Sequence, residues 1–419
     1  MTKPLEKQIS PFSGFTSKAL AKAIFQAEVP EEFIRQLPPQ SMLMVIKHNG
    51  LASSSDLVEL ATLEQCRLLI DFDCWRGDLF SEEAFWEWLS LSDDENGLRI
   101  LQKIVKCIDL KLVSLLIARY VEVKTFENPT DTPPAPGFYT PDKGHSWILI
   151  KLEDPTKHFL LARMLALIFE TNADLYYQLL SAPLVATESV LEEDSFQERN
   201  KRLSAEGVPD PEWAAAINQP LQIAQIKRAL EESPKRPVIE NISAVHPLIY
   251  DSSLDSPLGQ LFGEQNRREV LESELTLLMN AAIVRFKIDF YDAAAVRLLS
   301  QKVKGALNIG LEIITAETKC REAQSAYEAL GLQKIYALGL GRLLSLRKQA
   351  LDAKHKPDFE GSDAWTQTVI EMLSNPFPDA PWSLLEEPPP QEKLDQTPRA
   401  ILSLSEMRRV EEFLSKIKS

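Results

Sequence analysis

The chain has 419 residues, 44% of them apolar, which allows two or three domains or one extended array. Only 15 glycines are present, about half the usual share, and this favours helices over strand-and-turn folds. The net charge is −15 with no dense basic stretch, which argues against a nucleic-acid partner because a duplex-binding surface must replace counterions.

Residues 1–34 read as a polar tail with one short amphipathic helix around Ser17 to Ala27. The opening MTKPLEKQIS has no apolar core of the kind a signal peptide needs. Residues 35–119 carry a repeating texture. Gln40–Ile46, Glu64–Ile70 and Lys111–Ile117 share a polar start and an apolar close, and their terminal isoleucines lie 24 and 47 residues apart. Such spacing suggests short helices stacked as an α-solenoid, in which no unit buries its apolar face alone.

Within these repeats, Ala61 to Leu91 concentrates aromatics and acids. Ser81 followed by Glu82 and Glu83 marks a helix start, with Phe80 and Phe85 at the staple positions. Ser92 to Glu95 spells a capping box, after which Leu98, Leu101, Val105 and Ile108 form a helical stripe with Ile104 beside it.

Residues 120–153 change period. YVEVKTFE alternates apolar and polar as a half-buried strand does, a proline-rich loop follows, and SWILIKL is the next strand candidate. We read a small β insertion there. Residues 154–232 return to helix. The longest apolar run, Phe159 to Phe169, holds Arg163 and is too short to span a bilayer. Glu188 to Ala205 runs from acidic to basic, which complements the helix dipole without any ligand.

Residues 233–258 are the linker candidate, with Pro234, Pro237, Pro247 and Pro257. Residues 259–375 read as helical hairpins, loosely of the tetratricopeptide type, with helices over Asn266–Ile288, Asp289–Ala316, Lys319–Leu330, Leu332–His355 and Ala364–Leu373. Gly339 and Gly341 inside that pattern read as close helix packing. Residues 376–419 form a proline-rich tail, expected to be exposed and extended. A terminal amphipathic helix over Leu402–Ile417 follows, to fold back or to dock on a partner.

No local motif carries chemistry. The five histidines are scattered, and there is no H-E-x-x-H, nucleophile elbow, phosphate loop or dinucleotide fingerprint. Asp71, Asp73 and Glu82 mimic three positions of a calcium loop. Trp75 and Arg76, however, stand where a ligand and a glycine are needed, so no metal and no cofactor are expected. Cys66, Cys74, Cys107 and Cys320 fit neither a disulfide framework nor zinc spacing, and read as the reduced thiols of a cytoplasmic protein. Two readings stand for the aromatic set: core between stacked helices, or a partner anchor at Trp75 or Trp86. At the Arg76-Gly77-Asp78 turn, Arg76 is expected to stack on Trp75 or to pair with Asp73 or Asp78.

LLIDFDCWRGDLFSEEAFWEWLSL, WILIKL, ERNKRLSAEGVPDPEWAAAI and LGLQKIYALGLGRLLSLRKQA together resemble, in this order over most of residues 35–355, a bacterial family known only as a domain of unknown function. That resemblance implies no activity, cofactor or catalytic residue. The N-terminal repeats are also faintly similar to the cytosolic helical domain of bacterial magnesium transporters, without their membrane spans. The sequence thus leads to a mainly α chain, a helical-repeat (α-solenoid-like) array with a small β-hairpin insertion. It is expected to be cytoplasmic, without nucleic acid or membrane span. Its expected role is a non-catalytic scaffold or adaptor for a protein partner, with Trp75, Arg76, Asp78 and Trp86 as the candidate contacts and no catalytic residue assigned. The alternatives are an enzyme of unrecognised type with an acidic cleft, or a ligand-sensing regulatory domain.

Overall fold

The computed structural model describes residues 17–93, 97–232, 256–262, 268–356, 359–386 and 397–418. Most of the linker candidate, Asp94 and Glu95 of the expected capping box, and the LEEPPP run beyond Glu386 lie outside the described residues. The fold is mainly α, with three two-stranded antiparallel sheets among the described residues. None of the described helices is long and apolar enough to cross a membrane. The chain divides into two compact units, Thr16–Leu203 and Ser204–Ser419, with the boundary in the last turn of one helix.

The N-terminal unit opens with a run of short helices and closes with three longer ones. α1 (Ser17–Gln26), α2 (Pro30–Arg35), α3 (Pro39–Asn49), α4 (Ser55–Leu60) and α5 (Leu63–Asp73) come first. β1 (Trp75–Arg76) and β2 (Leu79–Phe80) make a small ribbon, followed by α6 (Glu82–Ser90), α7 (Gly97–Cys107) and α8 (Leu110–Tyr120). β3 (Val121–Thr125) pairs with β4 (Ser146–Ile150) in the register Val121↔Ile150, which is the hairpin expected from the change of period. α9 (Pro155–Thr171), α10 (Ala173–Val185) and α11 (Glu188–Ala205) complete the unit.

Local chemistry sets these boundaries. Proline occupies the first turn of α2, α3 and α9, where its missing N–H costs nothing. Thr62 and Gln65 form a reciprocal capping box on α5, at 3.1 and 2.9 Å. The repeat ends Ile46, Ile70 and Ile117 are all buried. α1 packs on α3, α3 on α5, α5 on α7 and α7 on α9. The α7 stripe is turned one step from the sequence reading. Ile100, Leu101, Ile104 and Cys107 are buried, whereas Leu98 is half exposed.

Short helices leave many terminal carbonyls without intrahelical partners. Long side chains from neighbouring helices reach these carbonyls. Gln65 Nε2 donates to Ile34 O and Leu37 O, both at 2.8 Å, closing α2. Lys103 Nζ donates to Val58 O, Glu59 O and Ala61 O, closing α4. Arg67 donates to Cys107 O and Lys106 O, closing α7. Arg199 Nε donates to Asp71 O at 2.7 Å, near the end of α5.

The C-terminal unit is built differently. α12 (Pro211–Ile217), α13 (Ile223–Glu231) and α14 (Pro257–Phe262) are short, but α15 (Arg268–Phe286), α16 (Ala293–Glu317) and α17 (Ala323–Lys354) are long. Gly331, with φ of 71° and ψ of 167°, breaks α17 where the sequence separates two helices. The most extensive helix pair is α16 against α17, and glycines make it close. A Cβ on Gly339 would stand 1.8 Å from Ala306 O, and one on Gly310 would stand 2.1 Å from Ile335 O. The close-packing reading of Gly339 therefore holds.

α18 (Ala364–Leu373), β5 (Ala380–Pro381), α19 (Trp382–Leu385), β6 (Pro398–Arg399) and α20 (Leu404–Lys418) end the chain. The tail up to Glu386 is not exposed as expected. Phe377, Asp379 and Ala380 are buried, and Phe377 stacks on Phe286 at 4.9 Å. Lys302 Nζ, itself buried on α16, needs compensation for its charge. It lies 2.6 Å from Asp379 Oδ2 and donates to Phe377 O at 2.8 Å. α20 folds back on α16 and α17, burying Met407, Val410 and Leu414. Leu404 N in its first turn donates to Glu312 Oε2 at 2.9 Å.

Candidate functional site

The Asp71–Phe80 stretch leaves α5 and returns to α6 through the β1–β2 ribbon, with Trp75 opposite Phe80 and Arg76 opposite Leu79. Gly77 takes φ of 65°, a conformation that tight two-residue hairpin loops require and that a side chain resists. The base of the ribbon is core. Trp75 and Phe80 are buried, with ring centroids 5.6 Å apart, and Trp75 lies 5.6 Å from Phe196 on α11. Phe80 N donates to Glu192 Oε1 at 3.0 Å. The tip is the opposite: Arg76, Gly77 and Asp78 are exposed, and Leu79 is 66% exposed, the highest value among the exposed large hydrophobics.

Arg76 is tied to the backbone of its own turn. It donates to the backbone carbonyls of Asp73, at 2.7 Å, and Trp75, at 3.0 Å. The guanidinium of Arg199 lies over Trp75, 5.7 Å from the ring centroid. Burial pulls the Arg199 pKa down to about 10. Trp86 is buried too, 6.0 Å from Phe85 and 6.5 Å from Tyr120. Of the four candidate contacts, two are therefore core aromatics and two stand at the exposed tip.

The acids turn away from one another. Asp71 accepts both arms of Arg202, at 2.7 and 2.9 Å. Burial pushes the Asp71 carboxyl above its ordinary range, against the pull of Arg202 and Arg199. Asp73 is fully buried, with Lys47 Nζ 2.7 Å from Oδ1 and Trp88 Nε1 donating to Oδ2 at 2.9 Å. Glu82 pairs with Arg119 and accepts from Tyr120 at 2.7 Å. The calcium-loop mimic is thus dispersed into three separate pairings. Ser81 does stand at the N-cap of α6, but its side chain makes no cap hydrogen bond. The staple is present, with Phe80 and Phe85 centroids 5.8 Å apart.

Sequence reasoning missed Lys47, Glu192, Arg199 and Arg202. It assigned the charges of α11 to the helix dipole. In the structure Glu188 and Glu192 meet Arg119, both at 3.0 Å, and the two arginines meet Asp71. The one available signal was the three-residue spacing of Arg199 and Arg202, which puts both on one face.

The C-terminal unit holds a cleft of about 250 Å³ lined by Ile217, Leu221, Leu330, Gly331, Lys334 and Glu274, among others. Glu274 is buried. It accepts from Leu332 N at 2.9 Å and from Tyr327 at 3.3 Å, so its carboxylate restarts α17 after the Gly331 break.

These features define a mainly helical protein with small β hairpins and no motif of known chemistry. The chain belongs to the family described as "Family of unknown function (DUF6178)", whose model matches residues 2–419. No curated protein and no solved structure matches it.

Proposed function

We propose that the chain is a non-catalytic cytosolic scaffold or adaptor that holds a protein partner, with the Arg76–Leu79 tip as a contact. The observation that carries this reading is the contrast within one ribbon. Its base is locked by Trp75, Phe80, Phe196 and Arg199, while Leu79 projects 66% exposed between two charges. An apolar residue held on a fixed ribbon loses little freedom on binding, and the arginine beside it is of a type enriched at interface hot spots. Of the acids that an enzymatic reading would use, Asp71, Asp73 and Asp78, the first two are occupied by Arg202, Lys47 and Trp88, and Asp78 lies at the exposed tip. Four unbridged, buried cysteines support a reducing compartment. Replacing Arg76, Asp78 and Leu79 together by serine should leave stability within about 0.5 kcal/mol and abolish recovery of the partner that the unmodified chain retains. Equal recovery by both proteins would defeat the reading.

A second reading, ligand sensing, is favoured by the cleft beside Gly331 and Glu274. A ligand selective for the native state raises the melting temperature, so a thermal-shift screen in which wild-type protein responds and Glu274→Gln does not supports it.

A further inference from the structure

Two of the four thiols meet where α5 begins and α7 ends. Cys107 is the last residue of α7, and its S–H donates to Leu63 O at 3.2 Å. Cys66 stands three residues beyond Leu63, on the same face of α5, which sets its thiol beside that of Cys107. Arg67, the next residue on α5, donates to the carbonyls of Lys106 and Cys107, at 3.2 and 3.0 Å. The two helix ends are therefore held together on both sides of the thiol pair. Cys66 and Cys107 are 0% and 1% exposed, yet Leu63, which accepts from Cys107, is 50% exposed.

We propose that Cys66 and Cys107 are a modification site, a reversible dithiol–disulfide pair in which Cys107 reacts first with a hydroperoxide and Cys66 resolves the product. The neighbouring Cys66 thiol draws the Cys107 thiol below its ordinary range despite burial, and the charges of Arg67, Lys103 and Lys106 pull the same way. The Cys107 thiol beside it, with burial, holds the Cys66 thiol up. Cys74 is in the opposite setting, pushed up by burial and by Asp73 and Asp71.

The chemistry balances in two steps. The Cys107 thiolate attacks the terminal peroxide oxygen, the O–O bond breaks, and an alcohol or water leaves with the proton, giving a sulfenic acid. Cys66 then loses its proton and attacks that sulfur, forming the S–S bond and expelling the sulfenic oxygen as water. Two thiols are oxidised and one hydroperoxide is reduced. The disulfide pins the first turn of α5 to the last turn of α7, and α5 is the helix from which the ribbon extends.

The test treats the native full-length chain with stoichiometric hydrogen peroxide, blocks the remaining thiols, and maps the digest by mass spectrometry. The expected product is a linked peptide pair containing Cys66 and Cys107, lighter by two hydrogen atoms and restored by dithiothreitol, with Cys74 and Cys320 still alkylated. Cys66→Ser should instead accumulate a dimedone adduct at Cys107. Two free thiols after native peroxide treatment, or linkage only after unfolding, would overturn the proposal. A dimedone adduct at Cys66 in Cys107→Ser, equal in amount to the Cys107 adduct in Cys66→Ser, would overturn the order of reaction. If either variant fails to fold, the wild-type peptide map alone decides whether the pair exists.

Discussion

The N-terminal unit is fastened by charged and polar side chains, the C-terminal unit by backbones brought into contact. The difference follows from helix length. α2 and α4 have six residues each, and α3, α5, α7 and α8 have 11. Each short helix ends with carbonyls that burial would strand, so Gln65, Lys103, Arg67 and Arg199 reach across to them. α16 and α17 have 25 and 32 residues and few ends per buried area. Their cohesion comes from Gly310 and Gly339, where the neighbouring backbone fills the space of a side chain. A chain of many short helices needs long donors in its interior, whereas a pair of long helices needs small residues along the seam.

This contrast can be broken most severely at Asp73. Asp73→Ala removes the carboxylate shared by Lys47 and Trp88 and should cost about 3–5 kcal/mol, read from urea unfolding, because a charge is left in a buried site. In the other unit, Gly339→Ala forces a methyl to within 1.8 Å of Ala306 O, so α16 and α17 must part. The expected loss is about 1–3 kcal/mol. Gly77→Ala sharpens the point. Nothing lies within 4 Å of its Cβ position, so only the φ of 65° opposes the change, and the cost should be about 1 kcal/mol. Lys103→Met keeps the stem but removes the donor that closes α4, and should cost about 1–2 kcal/mol while exposing the α4 amides to faster exchange.

The smallest effect is local and depends on pH. Burial pushes the Asp142 carboxyl up, but hydrogen bonds from Ser146, Thr140 and Tyr177 hold it below the ordinary aspartate range. A depressed carboxyl contributes stability that is present above its unfolded pKa of about 3.9 and lost as pH falls through the lower folded value. The protection of the Gly144 and Ser146 amides, relative to their intrinsic exchange rates at each pH, should therefore fall only in acid, below the ordinary aspartate range, and stay constant at neutral pH.

The elements were largely legible because period and punctuation are local. The change to period two at Tyr120 located β3, and Gly331 located the break in α17. The Phe80–Phe85 staple was readable for the same reason. What stayed hidden is long-range. Nothing near Asp71 announces Arg202, 131 residues away, or assigns the α11 charges to tertiary pairs. The tail after Pro376 reads as exposed because proline suggests it, yet Lys302, 75 residues earlier, holds it down through Phe377 O. At the candidate site the turn itself was legible, but aromatics are equally suited to a core and to an anchor. Only burial separates Trp75 and Trp86 from Arg76 and Asp78.

The most direct test of the central claim, that the buried acids serve the fold and the exposed tip serves binding, is photo-cross-linking in the native cell. A photoreactive residue is placed at Leu79 in one protein and, as a comparison, at Val190 in another, a position on α11 that is 49% exposed. The account predicts a discrete protein adduct from Leu79 that Val190 does not give and that Arg76→Ser with Asp78→Ser weakens. Adducts from Leu79 no stronger than those from Val190 would contradict it.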